Sequence, residues 1–374
     1  KYRYDYGFKK GDTFTVTNNV PQAPGYVFIG WFDKKGNDGK GVVYQAGETV
    51  SHSGRTEHTL DALWVGINAS GYSGKYDGNN HSIEAKTTFN AGTLEEEYIN
   101  TIEKANLYKW KTEIKYQSSS DGQEYGDVSG NNPKYKDVGK HYVMASRQIE
   151  AGGKVTTISA VAIVEITKRQ IKLTSGSASK PYDGTALTNK NVTVSGDGFV
   201  KHEGATYNVV GSQTEVGESE NRFDQEKPYE LKAGTNASNY TISMETGTLS
   251  VTPNSTKVTV TIVENSGTAI YDGNEHTVTG YKVKSISNKL YKESDFSFNG
   301  NAVIKGTEVG TYNMQLKAGD FHNNNKNFTN VEFEIEDGTL VISPVDKVKV
   351  TIAENSGTAI YDGNEHTVTG YKVK

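Results

Sequence analysis

Three histidines, His81, His276 and His366, stand five residues after the tyrosine of a recurring Tyr-Asp-Gly turn. An imidazole works as an acid, base or metal ligand only where other groups complete a site. A histidine copied together with its surroundings into several modules is read as structural. The loop Asp33-Lys34-Lys35-Gly36-Asn37-Asp38-Gly39 offers oxygen ligands in Asp33, Asn37 and Asp38, which suit a hard cation such as calcium. Its neighbouring lysines, and the lack of a bidentate Glu at EF-hand spacing, favour a plain hairpin loop with no metal. Tyr72, Tyr76, Tyr98, Tyr108 and Trp110 form the aromatic group best suited to ligand contact, because an aromatic face packs on the apolar face of a sugar. His-Glu-x-x-His, Gly-x-Ser-x-Gly and the phosphate-binding Gly-x-x-x-x-Gly-Lys pattern are all missing. The expectation is therefore no enzyme, no catalytic residue and no cofactor.

The elements that position these residues read as strands. Val331, Phe333 and Ile335 alternate with Glu332, Glu334 and Glu336, one face apolar and one charged. Asp337-Gly338 after this run predicts a hairpin. Tyr240, Ile242 and Met244 repeat the pattern, as do Val258, Val260 and Ile262 among threonines. The composition agrees: 23 Tyr and 40 Gly with 3 Met, 34% hydrophobic residues and a mean hydropathy of −0.64 suit short half-buried strands and many turns. A length of 374 residues exceeds one ordinary core and predicts several domains. The net charge is −5 with the 40 basic residues dispersed, so no nucleic-acid partner is expected. There is no cysteine, which removes disulfides and thiol chemistry. No run approaches the roughly 20 apolar residues of a membrane-spanning helix.

Internal repetition organises the chain. Residues 258–284 read VTVTIVENSGTAIYDGNEHTVTGYKVK, and residues 348–374 repeat them with two changes, 90 positions later. The turn recurs at Tyr76-Asp77-Gly78, Tyr182-Asp183-Gly184, Tyr271-Asp272-Gly273 and Tyr361-Asp362-Gly363. Leu-Lys-Ala-Gly followed by Gly-Thr-Leu marks two of these modules, at Leu231 and Gly247 and again at Leu316 and Gly338. An acidic-Val-Gly step at Asp137, Glu215 and Glu308 is read as a strand opener. One helix is predicted, near 94–105: Thr93 as cap, Glu96 three residues on, and Leu94, Tyr98 and Ile102 along one face. It is an insertion, since the other modules lack it. Asn68, Asn191, Asn236, Asn239, Asn254 and Asn327 fit a glycosylation triplet and receive no role.

The Tyr-Asp-Gly turn, the Gly-Thr-Leu segment and the module length resemble the YDG/MBG-type repeats of large bacterial surface adhesins. Gly25-Tyr26-Val27-Phe28-Ile29-Gly30-Trp31-Phe32 with Thr59-Leu60-Asp61-Ala62-Leu63-Trp64 is similar to the Listeria–Bacteroides repeat, the internalin B-repeat type. The resemblance implies an all-β chain of tandem small sandwich or Ig-like modules, preceded by a β-grasp-like domain. The expected divisions are 1–66, 67–168, 169–256, 257–345 and the truncated start of a further module at 346–374. It also implies a Gram-positive type of extracellular protein, secreted or attached to the cell wall through other parts of a longer parent chain. Stalk modules of that type are sometimes locked by Lys–Asn isopeptide bonds, which singles out Lys257, Lys347 and Lys349, although the terminal strands offer no Asn. Three roles follow: a spacer supporting adhesion, a binder of host glycan or matrix protein with its site in 1–168, or a fibre subunit pairing with copies of itself through incomplete C-terminal strands.

Overall fold

A computed structural model describes residues 2–4, 9–52, 54–55 and 57–374. The chain is all-β, with many short strands in small sheets and, among the described residues, one α-helix, Ile99–Lys104. Its contacts define two compact units. The first comprises residues up to Thr174 with Val192–Asn208 and Gln225–Glu245; the second comprises Ser175–Asn191, Val209–Asp224 and Thr246–Lys374.

In the first unit, Val27–Asp33 lies antiparallel between Val42–Tyr44 and His58–Ser70. Trp31, Tyr44 and Leu60 close a core with Phe14 and Val16. The expected boundary at residue 66 falls inside a strand. His58–Ser70 pairs with Val27–Asp33 through its first half and with Glu84–Phe89 through its second. A second sheet is built on the hairpin of Gly139–Ala151 and Lys154–Thr167, flanked by Lys115–Ser119 and by Tyr72–Lys75. The strand Tyr108–Trp110 pairs with the Ile149–Ala151 end of that hairpin.

The predicted helix is shorter than its sequence pattern. The Thr93 hydroxyl donates back to the Asn90 carbonyl (2.7 Å) and caps nothing ahead of it. A 3-10 turn, Glu96–Tyr98, precedes the α-helix. Tyr98 and Ile102 are its buried residues, with Tyr98 edge-on to Phe32 at 5.2 Å. The Thr101 hydroxyl donates to the Lys40 carbonyl (3.2 Å), so the insertion braces the Val27–Asp33 sheet.

The second unit shows how a repeat closes. Val258–Glu264 pairs in parallel with Val331–Glu336 and antiparallel with Tyr281–Ile286. Thr339–Ser343 lies in another sheet, parallel to Gly267–Ile270 and antiparallel to Gly310–Asn313. Val258, Val260, Ile262, Phe333, Leu340 and Ile342 fill the space between the two sheets. Burying one such side chain contributes about 1.5–3 kcal/mol.

Asp337-Gly338 therefore joins two sheets and closes no hairpin. The first and last segments of the repeat switch sheets side by side, and the crossing is too tight for a side chain. A Cβ on Gly338 would sit 2.4 Å from the Asn265 carbonyl oxygen, and one on Gly247 would sit 2.4 Å from that of Ser175. The buried Glu264 carboxylate accepts the N–H groups of Leu316 (2.6 Å) and Gly338 (2.7 Å) at this crossing. The counterpart, Ser175, accepts from Gly247 N–H (2.9 Å) and donates to the Asn221 carbonyl (2.5 Å). Arg169–Ser175 pairs in parallel with Tyr240–Glu245, and Ala178–Pro181 with Gly247–Thr252, so the Tyr182 repeat has the same topology. Tyr240–Glu245 belongs to the first unit, and Ala178–Pro181 and Gly247–Thr252 belong to the second.

Candidate functional site

Three of the four Tyr-Asp-Gly turns, at Tyr76, Tyr182 and Tyr271, follow a short strand that pairs in parallel with the end of its repeat. The N–H groups of Tyr76, Tyr182 and Tyr271 donate to the carbonyls of Thr167, Thr252 and Ser343 at 2.8, 2.8 and 2.9 Å. The turn glycines hold φ between 76° and 82°, a left-handed conformation that favours glycine. The turn aspartates accept the N–H two residues on, from Asn79, Thr185, Asn274 and Asn364. His81, His276 and His366 close on the same carboxylates at 2.9, 3.0 and 2.9 Å. In the Tyr182 turn the Lys180 ammonium takes that place at 2.7 Å. Burial alone would raise the Asp77 carboxyl, but the Asn79 N–H and His81 hold it at about 2. Lys180 and the Thr185 N–H hold Asp183 at about 2. The histidines thus staple turns.

The acidic-Val-Gly steps do more than open strands. Asn239 is fully buried; its side-chain oxygen accepts the Val138 N–H (2.9 Å) and its amide donates to the Asp137 carboxylate (2.8 Å). In the second unit the Asn327 oxygen accepts the Val216 N–H (3.0 Å) and its amide donates to the Glu215 carboxylate. In both cases an asparagine of one repeat clasps the acidic-Val pair of the repeat before it. An aromatic residue follows each asparagine and packs edge-on to the turn tyrosine: Tyr240 on Tyr76 at 5.7 Å, and Phe328 on Tyr182 at 5.6 Å. The Tyr76 and Tyr240 hydroxyls both donate to Glu203. Burial first, and that carboxylate second, raise the Tyr76 hydroxyl; burial raises that of Tyr240 to about 12. Two residues past the ends of Lys154–Thr167 and Gly247–Thr252, a side-chain donor also reaches each tyrosine carbonyl, Arg169 to Tyr76 (3.2 Å) and Asn254 to Tyr182 (2.9 Å). Sequence reasoning gave Asn239, Asn254 and Asn327 no role. The available signal was the Asn-x-x-Asn-aromatic run at Asn236 and again at Asn324.

The five aromatic candidates do not share one site. Tyr108 and Trp110, two residues apart on one strand, present their rings to the same side, 5.4 Å between centroids. They line a cleft of about 490 Å³ with Lys86, Thr88, Phe89 and Glu103. Arg147 lies 4.0 Å over the Trp110 ring. The Thr88 hydroxyl is buried without a hydrogen-bond partner among the described residues. Burial, then the Glu103 charge, push the Tyr108 hydroxyl up. Tyr72 stacks on His81 at 3.6 Å, Tyr76 is 1% exposed in its clasp, and Tyr98 is buried against Phe32.

Asp33 is not available to a cation. It is buried and bonded to Arg55, with the His58 Nδ1 at 2.9 Å. Asn37 and Asp38 are exposed on a turn with φ of 49° and 53°. Among the described residues no group of three or more His, Asp or Glu side chains is placed to hold a metal. Lys257 pairs with Glu332, not with an asparagine, and Lys347 and Lys349 are exposed. No helix among the described residues is long and apolar enough to cross a membrane.

No family model matches the sequence, and no curated protein matches it. Among solved structures it is similar to a Bacteroides ovatus mixed-linkage glucan utilization locus SGBP-B in complex with a mixed-linkage heptasaccharide. That likeness has 11% identity and a TM-score of 0.13, covering 77% of this chain and 69% of the other. The N-terminal four Ig domains of Dscam1 match in two isoforms. Isoform 9.44, with zinc, has 9% identity and a TM-score of 0.15, covering 90% and 92%. Isoform 8.4 has 10% identity and a TM-score of 0.17, covering 90% and 91%. Superpositions this loose carry no argument about function.

Proposed function

We propose that this chain is a non-catalytic segment of a bacterial surface protein, and that its Tyr-Asp-Gly repeats form a spacer coupled repeat to repeat. The observation that supports this reading is the recurrence of one clasp, Asn239 on Asp137-Val138 and Asn327 on Glu215-Val216. A linker of a few residues would leave neighbouring modules free to swing. A buried asparagine satisfying both a backbone N–H and a carboxylate fixes direction and register instead, because polar groups buried there have no other partner. The test is small-angle X-ray scattering of the chain beside Asn239→Ala with Asn327→Ala. Spacer function predicts a broader distribution of shapes in the variant at unchanged β content, and identical scattering curves would refute it.

A second reading, a glycan-binding module, is favoured by the Tyr108–Trp110 cleft, where two rings, a buried hydroxyl and side chains of both charges converge. It requires saturable binding of the whole chain to one member of a glycan array, lost on Trp110→Ala. The absence of any such ligand would leave the spacer reading standing.

A further inference from the structure

Two acidic-Val-Gly steps are clasped, and the sequence has a third. Glu308-Val309-Gly310 heads the strand Gly310–Asn313, which lies antiparallel to the closing strand Thr339–Ser343. Gly217–Asn221 stands in the same relation to Gly247–Thr252, and Gly139–Ala151 to Lys154–Thr167. Beside it, Tyr271 donates its N–H to Ser343 as Tyr76 and Tyr182 do to their own closing strands. The scaffold is thus the same at all three places, but the occupancy differs. Val138 and Val216 are half-buried with their N–H groups bonded to asparagine, whereas Val309 is 50% exposed. Neither its N–H nor the Glu308 carboxylate has a hydrogen-bond partner among the described residues.

We infer that Glu308, Val309 and Tyr271 form the open half of the same clasp, and that its occupant is a further module of this repeat class. The required chemistry is specific: an asparagine held on a loop, offering its oxygen to the Val309 N–H and its amide to Glu308, followed by an aromatic ring that covers Tyr271. The two clasp asparagines described above cannot serve, since Asn239 and Asn327 are buried and engaged. One contact departs from the pattern. Val345 stands where Arg169 and Asn254 carry a donor to the tyrosine carbonyl, so this junction rests on the asparagine and the ring. The inference presupposes the coupled-repeat reading and extends it from occupied junctions to a vacant one.

The experiment lengthens the chain. Residues 348–374 match 258–284, so adding a second copy of residues 285–345 after Lys374 completes a module that carries a counterpart of Asn327. Hydrogen exchange at the Val350 and Ile352 amides reports whether that module forms, and exchange at Val309 reports the clasp. The expected result is slowing at all three, by roughly tenfold or more at Val309. Alanine at the added counterpart of Asn327 should restore fast exchange at Val309 alone. A second version carries Lys349→Thr and Ala353→Val, which makes the added module identical to one already folded in this chain. If Val309 exchanges at its original rate in both versions, the inference is overturned. Slow exchange at Val138 and Val216 in those same samples would show that the occupied clasps, and the spacer reading, survive its failure.

Discussion

Residues 258–284 and 348–374 differ only at Thr259/Lys349 and Val263/Ala353, yet they occupy different structures. In the first copy a seven-residue strand, Val258–Glu264, runs between two partners, and Val260 and Ile262 are each 0% exposed. In the second, strand pairing shrinks to Ile352–Glu354 against Tyr371–Val373, and Val350 and Ile352 are each 58% exposed. The parallel partners supplied to the first copy by Val331–Glu336 and Thr339–Ser343 have no counterpart for the second among the described residues. The turn survives in both: Asp272 with Asn274 and His276, Asp362 with Asn364 and His366. Asn265 and Asn355 likewise reach the carbonyls of Thr279 and Thr369 at 2.8 and 3.0 Å. Interactions between residues no more than 14 positions apart are written into either copy. The strands need distant residues to bury their apolar face, which propensity alone does not replace.

The comparison can be broken at several depths. Ile262→Ala leaves a cavity between two sheets and should cost about 2–5 kcal/mol in denaturant unfolding. Ile352→Ala should stay within about 0.5 kcal/mol; equal losses would mean that both copies are packed alike. Glu264→Gln removes a charge that holds two buried N–H groups, for an expected loss of about 1.5–3 kcal/mol. Glu354→Gln, at an exposed position, should leave the melting temperature in place. Asn327→Ala strips partners from Val216 and Glu215, and about 1–3 kcal/mol should be lost. Its distinguishing sign is faster exchange at Val216 while Val138 is unaffected.

The smallest effect is a pH titration. Backbone N–H donors from Asn274 and Asn364 hold the Asp272 and Asp362 carboxyls below their ordinary 3.8. A carboxyl lowered in the folded state contributes stability that is complete above that value and fades as the pH falls through the folded one. Carbon-13 NMR should find both aspartates titrating below 3.8. A value at or above it for Asp362 alone would mean that the turn depends on the rest of the repeat.

The same divide between near and far explains what could be read from the residues. The all-β class, the period-two strands and the Tyr-Asp-Gly turns are local patterns, and each was legible. The buried face of Tyr98 and Ile102 was legible too, while the helix start was misplaced, because the Thr93 hydroxyl turns back to Asn90 instead of forward. Asp337-Gly338 has the composition of a hairpin turn, and only the parallel pairing of Val331–Glu336 with Val258–Glu264 shows it to be a crossing. Asp33 sits in a loop rich in oxygen ligands, but Arg55 and His58, more than twenty residues away in sequence, claim its carboxylate. Tyr108 and Trp110 were picked out as possible contacts; that Lys86 and Phe89, from a strand of another sheet, and Glu103, from the helix, join them is set by tertiary packing. The asparagine clasps join residues 101 to 112 positions apart and were missed entirely.

The pairing of first and last segments has a mechanical side. Val258–Glu264 and Val331–Glu336 run parallel, as do Gly267–Ile270 and Thr339–Ser343, so each repeat enters and leaves along neighbouring strands that point the same way. Tension applied through its two ends drags those strands past each other lengthwise and loads every cross-strand bond at once. A hairpin at the same place would yield one bond at a time, like a zipper. For the proposed spacer, this pairing is the kind that resists a pull applied through the two ends of a repeat.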